Sequence, residues 1–254
     1  MEVILVIAEG AKAESLIIDN LKKVLFNKQV IIKVIFGTSI YNFYQRKKKY
    51  GEFFEPVEIL REMSEKNREI LNGINRRDIS SVFLFFDHDI HSSNYSKEAL
   101  KEMLDFFDNE YENGKLFISY PMVEALRDIS NLYEQYNQNE CYYEINKYRE
   151  YKAHASNVIR NISHLSVYAN YNFDIWRILS RYNWIKGNLL IDQNFNLPSY
   201  DNLNRFSQKL IFDKQYELID KTNKIIILSA FSFFIFYYFK RSFIEEKFLN
   251  KKTE

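Results

Sequence analysis

One cysteine, three prolines and six glycines in 254 residues set the first limits on this chain. A lone Cys141 excludes an intramolecular disulfide framework and any zinc site built from cysteine pairs. With so little Pro and Gly there are few punctuators for long irregular segments or for the many turns of a β-sandwich, so helices should dominate. An excess charge of one sign is also lacking: 35 Lys and Arg stand against 34 Asp and Glu, a net +1. That balance argues neither for nor against a nucleic-acid partner, because a local patch outweighs the sum. No G-x-x-x-x-G-K-[ST] run occurs, so the chain is not itself a P-loop ATPase. Glu2 leads straight into an apolar run without the basic region of a signal peptide, and a cytoplasmic location is the expectation.

Apolar residues, by contrast, are plentiful. They make up 46% of the chain, with 22 Phe and 19 Tyr among them, enough for a substantial core. Residues 2–8 and Val30 to Phe36 are short apolar runs that suit buried strands, as do Ser80 to Phe86 and Leu116 to Ser119. Between them, residues 12–26, 56–73 and 96–112 carry apolar side chains at helical spacing, with Ser96 as a cap and Gly114 closing the third helix. Strand and helix alternate, which predicts an α/β fold: a parallel four-stranded sheet with helices on both faces. After Pro121 no strand is expected. Residues 121–138, 144–163, 172–183, 205–221 and 223–249 read as a mainly helical C-terminal region, giving domains at 1–120 and 121–254. Ile225 to Phe239 carries no charge but is shorter than the about 20 residues of a membrane span, so a core helix is expected, with an interfacial or partner-binding helix as the alternative.

Two acidic clusters close two of the predicted strands. Glu9-Gly10, with Glu14 shortly after, follows Val3 to Ala8; Asp87-His88-Asp89 follows Val82 to Phe86. Carboxylates at the carboxyl ends of parallel strands face the crevice where open α/β sheets bind ligands. Grouped there they repel one another unless a divalent cation neutralises them. Asp87 and Asp89 project to one side of an extended chain and suit shared ligation of Mg²⁺ or Mn²⁺. Glu9 suits metal binding or proton abstraction, and Gly10 leaves room for a phosphate or a neighbouring backbone. Lys12 sits near the positive end of the first helix, where a phosphate is favoured. Glu14 reads as a solvated helix residue, as a partner of Lys12, or as a further ligand. Each cluster also has a plainer reading, Glu9 as a helix cap and Asp87-His88-Asp89 as a turn. His88 and His91 fall short of the four N or S donors of structural zinc.

VILVIAEG before a helix, then FLFFDHD, resembles the Toprim domain of topoisomerases, primases and nucleases. EGAKAE, with Glu9, Gly10, Lys12 and Glu14, is most similar to the RloB-like and OLD-related anti-phage group, and the resemblance covers about residues 2–126. It implies a metal-dependent nuclease in which Glu9, Asp87 and Asp89 are catalytic and, with Glu14, hold Mg²⁺ or Mn²⁺. The segment Ser119 to Glu124 resembles the Pro-containing stretch after the fourth strand in that group, and Glu124 reads equally as a buried anchor or a site residue. The partners it implies are a DNA or RNA substrate, transfer RNA included, and an ABC/SMC-like ATPase encoded nearby, as in PARIS-type systems. A homodimer is a further expectation. The rival expectation is a non-catalytic module of the same fold that binds an ATPase or nucleic acid. Arg46-Lys47-Lys48-Lys49, with Tyr41, Tyr44 and Tyr50, reads as a loop on the acidic edge that holds phosphates and stacks on bases, or else as a solvated loop.

Overall fold

The computed structural model describes residues 2–10, 12–26, 30–36, 40–88, 90–91, 95–132, 135–160 and 162–250, with backbone alone for residues 2 and 30–36. Two compact units divide the chain, residues 1–117 and 118–254.

The first unit is α/β. Its elements are β1 (Glu2–Ala8), α1 (Ala13–Leu25), β2 (Val30–Phe36), α2 (Ile40–Tyr50), α3 (Pro56–Met63), α4 (Glu65–Ile70), β3 (Ile79–Asp87), α5 (Lys97–Phe106), β4 (Asp108–Asn109) and β5 (Gly114–Ser119), whose last two residues fall in the second unit. The sheet order is β2-β1-β3-β5-β4. β1 pairs in parallel with β2 and with β3, while the two-residue β4 pairs antiparallel to β5 at the outer edge, so the sheet is mixed but mostly parallel. Ile4 to Ala8 and Val82 to Phe86 are buried without alternation, as expected of strands covered on both faces. The register of β1 against β3 slips between Val3 and Ile4, where Ser80 is left over and donates its hydroxyl to Val3 O at 2.9 Å.

Three sequence expectations are corrected here. Residues 56–73 form two helices, not one, because Ser64 leaves the helical conformation and caps α4 by accepting from Asn67 N–H at 3.1 Å. The helix begun at Ser96 ends at Phe106, and Gly114 opens β5 instead of closing that helix. Gly114 holds φ at +113°, and a Cβ there would lie 2.5 Å from Leu84 Cδ1, so this edge of the sheet requires glycine. The basic run Arg46 to Lys49 is not a loop; it is the last turn of α2. Ile40, Tyr41, Phe43 and Tyr44 supply the buried face of that helix, and lysines favour a helix C-terminus, where carbonyl dipoles accumulate negative charge.

The second unit is mainly helical but not wholly so. It contains β6 (Tyr142–Glu144), α6 (Tyr151–Val158), α7 (Phe173–Asp192), α8 (Tyr200–Leu203), α9 (Gln208–Thr222), β7 (Lys224–Ile226), α10 (Ala230–Tyr238) and α11 (Arg241–Ile244), with short 3₁₀ turns between them. β6 and β7 pair antiparallel, which corrects the expectation of no strand after Pro121. Among the described residues of 121–138, helical backbone is confined to the 3₁₀ turn Val123–Arg127 and to Gln138, which opens another. The uncharged run 225–239 begins as β7, not as helix: Gln215, fully buried, grips Ile226 through both its backbone groups, at 2.6 and 3.0 Å. Most of its remainder is α10, from Ala230 to Tyr238, whose Phe231, Phe233 and Phe234 are buried, each ring contributing on the order of 1.5–3 kcal/mol. α10 packs closely on α7, with Trp184 Nε1 donating to Ser232 O at 3.0 Å. Gly187 permits the approach, since a Cβ there would stand 3.0 Å from the Phe233 ring. Among the described residues no helix is long and apolar enough to cross a membrane.

Candidate active site

The strand order places a topological switch point between β1 and β3. The chain leaves β1 towards β2 on one side and returns to β3 on the other, the arrangement at whose carboxyl end open α/β sheets bind ligands. Glu9 is the first residue beyond β1 and Asp87 the last of β3. Both are half-buried, and the Asp87 N–H points to Glu9 Oε2 at 3.5 Å, a long contact. The Glu9 carboxylate thus reaches the backbone of Asp87, where the neighbouring strand ends. Asp89 lies outside the described residues, and among those described no group of three His, Cys, Asp or Glu gathers as a metal-holding cluster.

Gly10 and Glu14 act together. The Glu14 side chain is buried, and its Oε1 accepts from Gly10 N–H at 2.9 Å. A Cβ on Gly10 would stand 2.4 Å from Glu14 Oε2, so the space that glycine leaves is filled by this carboxylate. Glu14 is also the acid in the first turn of α1, where it complements the helix dipole. It is therefore not the solvated residue that its position in the sequence suggests. Lys12 precedes α1, is exposed, and makes no side-chain cap. His88 is 1% exposed; burial pushes its imidazole down to about 3, which leaves a neutral ring edge-on to Tyr95 at 6.2 Å between centroids.

The cations of α2 are engaged within the unit. Arg46 reaches Glu62 at 4.0 Å, Lys48 lies 4.5 Å from the Tyr44 ring centre, and Lys49 lies 5.1 Å from that of Tyr50. Lys47 sits 5.2 Å from the ring of Phe106, at the end of α5 that leads to β4 and not the end that follows the Asp87 segment. Tyr41 and Tyr44 are buried, and Tyr44 donates to Glu102 at 2.8 Å, so neither ring is open to a base. Glu124 belongs to the second unit, where it is 3% exposed and pairs with Lys152 at 3.4 Å.

A second polar cluster had no signal in the sequence, since Asp128 and Lys186 come to Tyr151 and His154 of α6 from separate elements. Asp128 is buried and accepts from the Tyr151 hydroxyl at 2.6 Å, and His154 Nε2 lies 3.8 Å from the same oxygen. Burial pushes the Asp128 carboxyl up, opposed by the Lys186 charge and the Tyr151 hydrogen bond. Burial pushes the Lys186 ammonium down, opposed by Asp128. Comparison with protein-family models, with curated proteins and with solved structures finds no match for this chain.

Proposed function

We propose that the first unit is a metal-dependent nuclease of Toprim type, hydrolysing phosphodiester bonds of DNA or RNA. The observation that carries this reading is the placement of Glu9 and Asp87 at the carboxyl ends of the adjacent strands β1 and β3, with Glu9 Oε2 facing the Asp87 N–H. Their oxygen donors fit a hard cation, Mg²⁺ or Mn²⁺, and Asp89 completes the set in this proposal. Such a cation, when bound, offsets the charge of the phosphate and of the carboxylates around it. Glu9 takes the proton of the attacking water as its oxygen bonds to phosphorus. The P–O bond to the leaving sugar breaks, and solvent returns a proton to the departing oxygen. Glu14 holds the Gly10 amide and so fixes the loop that carries Glu9, a supporting role instead of that of a ligand. The ATPase partner, the transfer-RNA target and the role in phage defence belong to the same proposal and rest on the sequence resemblance alone.

A second reading, a non-catalytic module, draws on one observation: Glu14, one of the four acids of the resemblance, is committed to Gly10 N–H. Cleavage assays separate the two. Labelled DNA, RNA and transfer RNA are incubated with the full chain and Mg²⁺, Mn²⁺ or EDTA. The nuclease reading expects cation-dependent products that fall by at least about 100-fold in Glu9→Gln/Asp87→Asn, more than the loss typical of residues that only support a ligand. Products that persist unchanged in the double variant would remove the assignment.

A further inference from the structure

The second unit buries two ionisable groups, Lys186 and Asp128. Lys186 on α7 is 1% exposed, its Nζ has no hydrogen-bond partner among the described residues, and it lies 4.6 Å from the centre of the Tyr182 ring. Asp128 is likewise buried, with Tyr151 and His154 at its oxygen. Apolar residues of similar volume generally stabilise a fold at least as well as buried charges do. Buried ionisable groups of this kind mark candidate functional sites, and Asp128 reaches an opening through His154.

The opening is a groove of about 720 Å³ that His154 lines, within the range of about 300–1,000 Å³ typical of small-molecule sites. The imidazole packs on the Tyr143 ring at 5.0 Å and the Tyr151 ring at 5.8 Å, and its side chain keeps 41% exposure. It is thus clamped by aromatics and backed by a buried carboxylate, yet reachable from solvent. The groove is also lined by the half-buried Tyr142, the amides Asn139 and Asn157, and two opposite charges, Lys224 and Glu150. Glu144 is neutralised locally by Lys147 at 3.0 Å.

A wholly anionic ligand would meet Glu150, and a wholly cationic one would meet Lys224. A ligand carrying both an anion and a planar group with N–H donors satisfies both. We propose that this groove binds a nucleotide. Lys224 and His154 receive the phosphate, Tyr142 stacks on the base, and the Asn157 amide and Glu150 carboxylate read its edge. Asp128 positions His154 and does not touch the ligand. This site is independent of the nuclease reading.

The test is calorimetric titration of the full chain with AMP, GMP, CMP and UMP, with inorganic phosphate as a control. EDTA is present, so that the acidic edge of the first unit takes no part through a cation. At least one nucleotide should bind, and more tightly than phosphate. His154→Gln, Lys224→Gln and Tyr142→Ala should each weaken it by about 10-fold, with melting temperatures unchanged. Three results would each overturn the proposal: no nucleotide binding at about 1 mM, phosphate binding as tightly as every nucleotide, or folded variants that bind like wild type.

Discussion

The two units handle carboxylates in opposite ways. Glu9 and Asp87 stand half-buried at the carboxyl ends of β1 and β3. Asp128 and Glu124 are almost fully buried, and the protein itself supplies the compensation through Tyr151, Lys186 and Lys152. An edge carboxylate is available for external chemistry at little cost to the fold. A buried one is costly unless hydrogen-bonded and paired, and its environment sets its charge. The first kind belongs to a strand order that creates a crevice; the second needs a core thick enough to enclose charge.

The largest expected break in this comparison is a charge in the apolar part of the second unit. Phe233→Asp buries an unpaired carboxylate between α10 and Gly187 and should cost more than about 4 kcal/mol. Loss of helical circular dichroism with a shifted elution volume checks it. A variant that stays folded and of native size would show that α10 is a surface.

Two glycines sharpen the contrast within the first unit. Gly114→Ala forces a side chain into a positive-φ position against Leu84 and should destabilise by about 2–3 kcal/mol. Gly10→Ala meets only the tip of Glu14, which can swing away, so the expected loss is about 1 kcal/mol, the worth of one hydrogen bond. Its effect on cleavage should exceed its effect on stability. Urea denaturation of both variants gives the order, and equal losses would contradict it.

Asp128 links the buried cluster to pH. Its carboxyl is pushed up by burial, so the folded state holds this proton more firmly than the unfolded state does. The associated stability is full below the unfolded carboxylate value of about 3.9 and is lost as pH rises through the higher folded value. Wild type should therefore lose ground relative to Asp128→Asn as pH increases from about 4. Denaturant midpoints of both proteins, measured side by side from acid to neutral pH, check this; a constant offset would contradict it.

Much of this architecture was legible in the sequence. β1, β2, β3 and β5 announce themselves as short apolar runs, and Glu9 and Asp87 follow from the positions where β1 and β3 stop. α2 was hidden because its basic last turn resembles a loop when read without the buried Ile40, Tyr41, Phe43 and Tyr44 beside it. β6 and β7 are three residues each, too short for any period to register, and β7 is held by the distant Gln215. The Asp128, His154 and Lys186 cluster is assembled by tertiary packing alone.

The smallest expected effect concerns α2. Replacing Arg46, Lys47, Lys48 and Lys49 with Gln should leave the fold intact, since these side chains make only exposed pairs and ring contacts. If any of them meets phosphate, the slope of log K against log salt becomes shallower by about 0.7–0.9 for each phosphate that the variant no longer neutralises. An unchanged slope would confine this helix end to a structural role.

The most direct test of the central claim is calorimetric titration of Mn²⁺ into the full chain and into Glu9→Gln/Asp87→Asn. Saturable binding to wild type is expected, with its loss in the double variant, which should fold normally because both residues are only half-buried at strand ends. Absence of binding to wild type, or equal binding to both proteins, would contradict it.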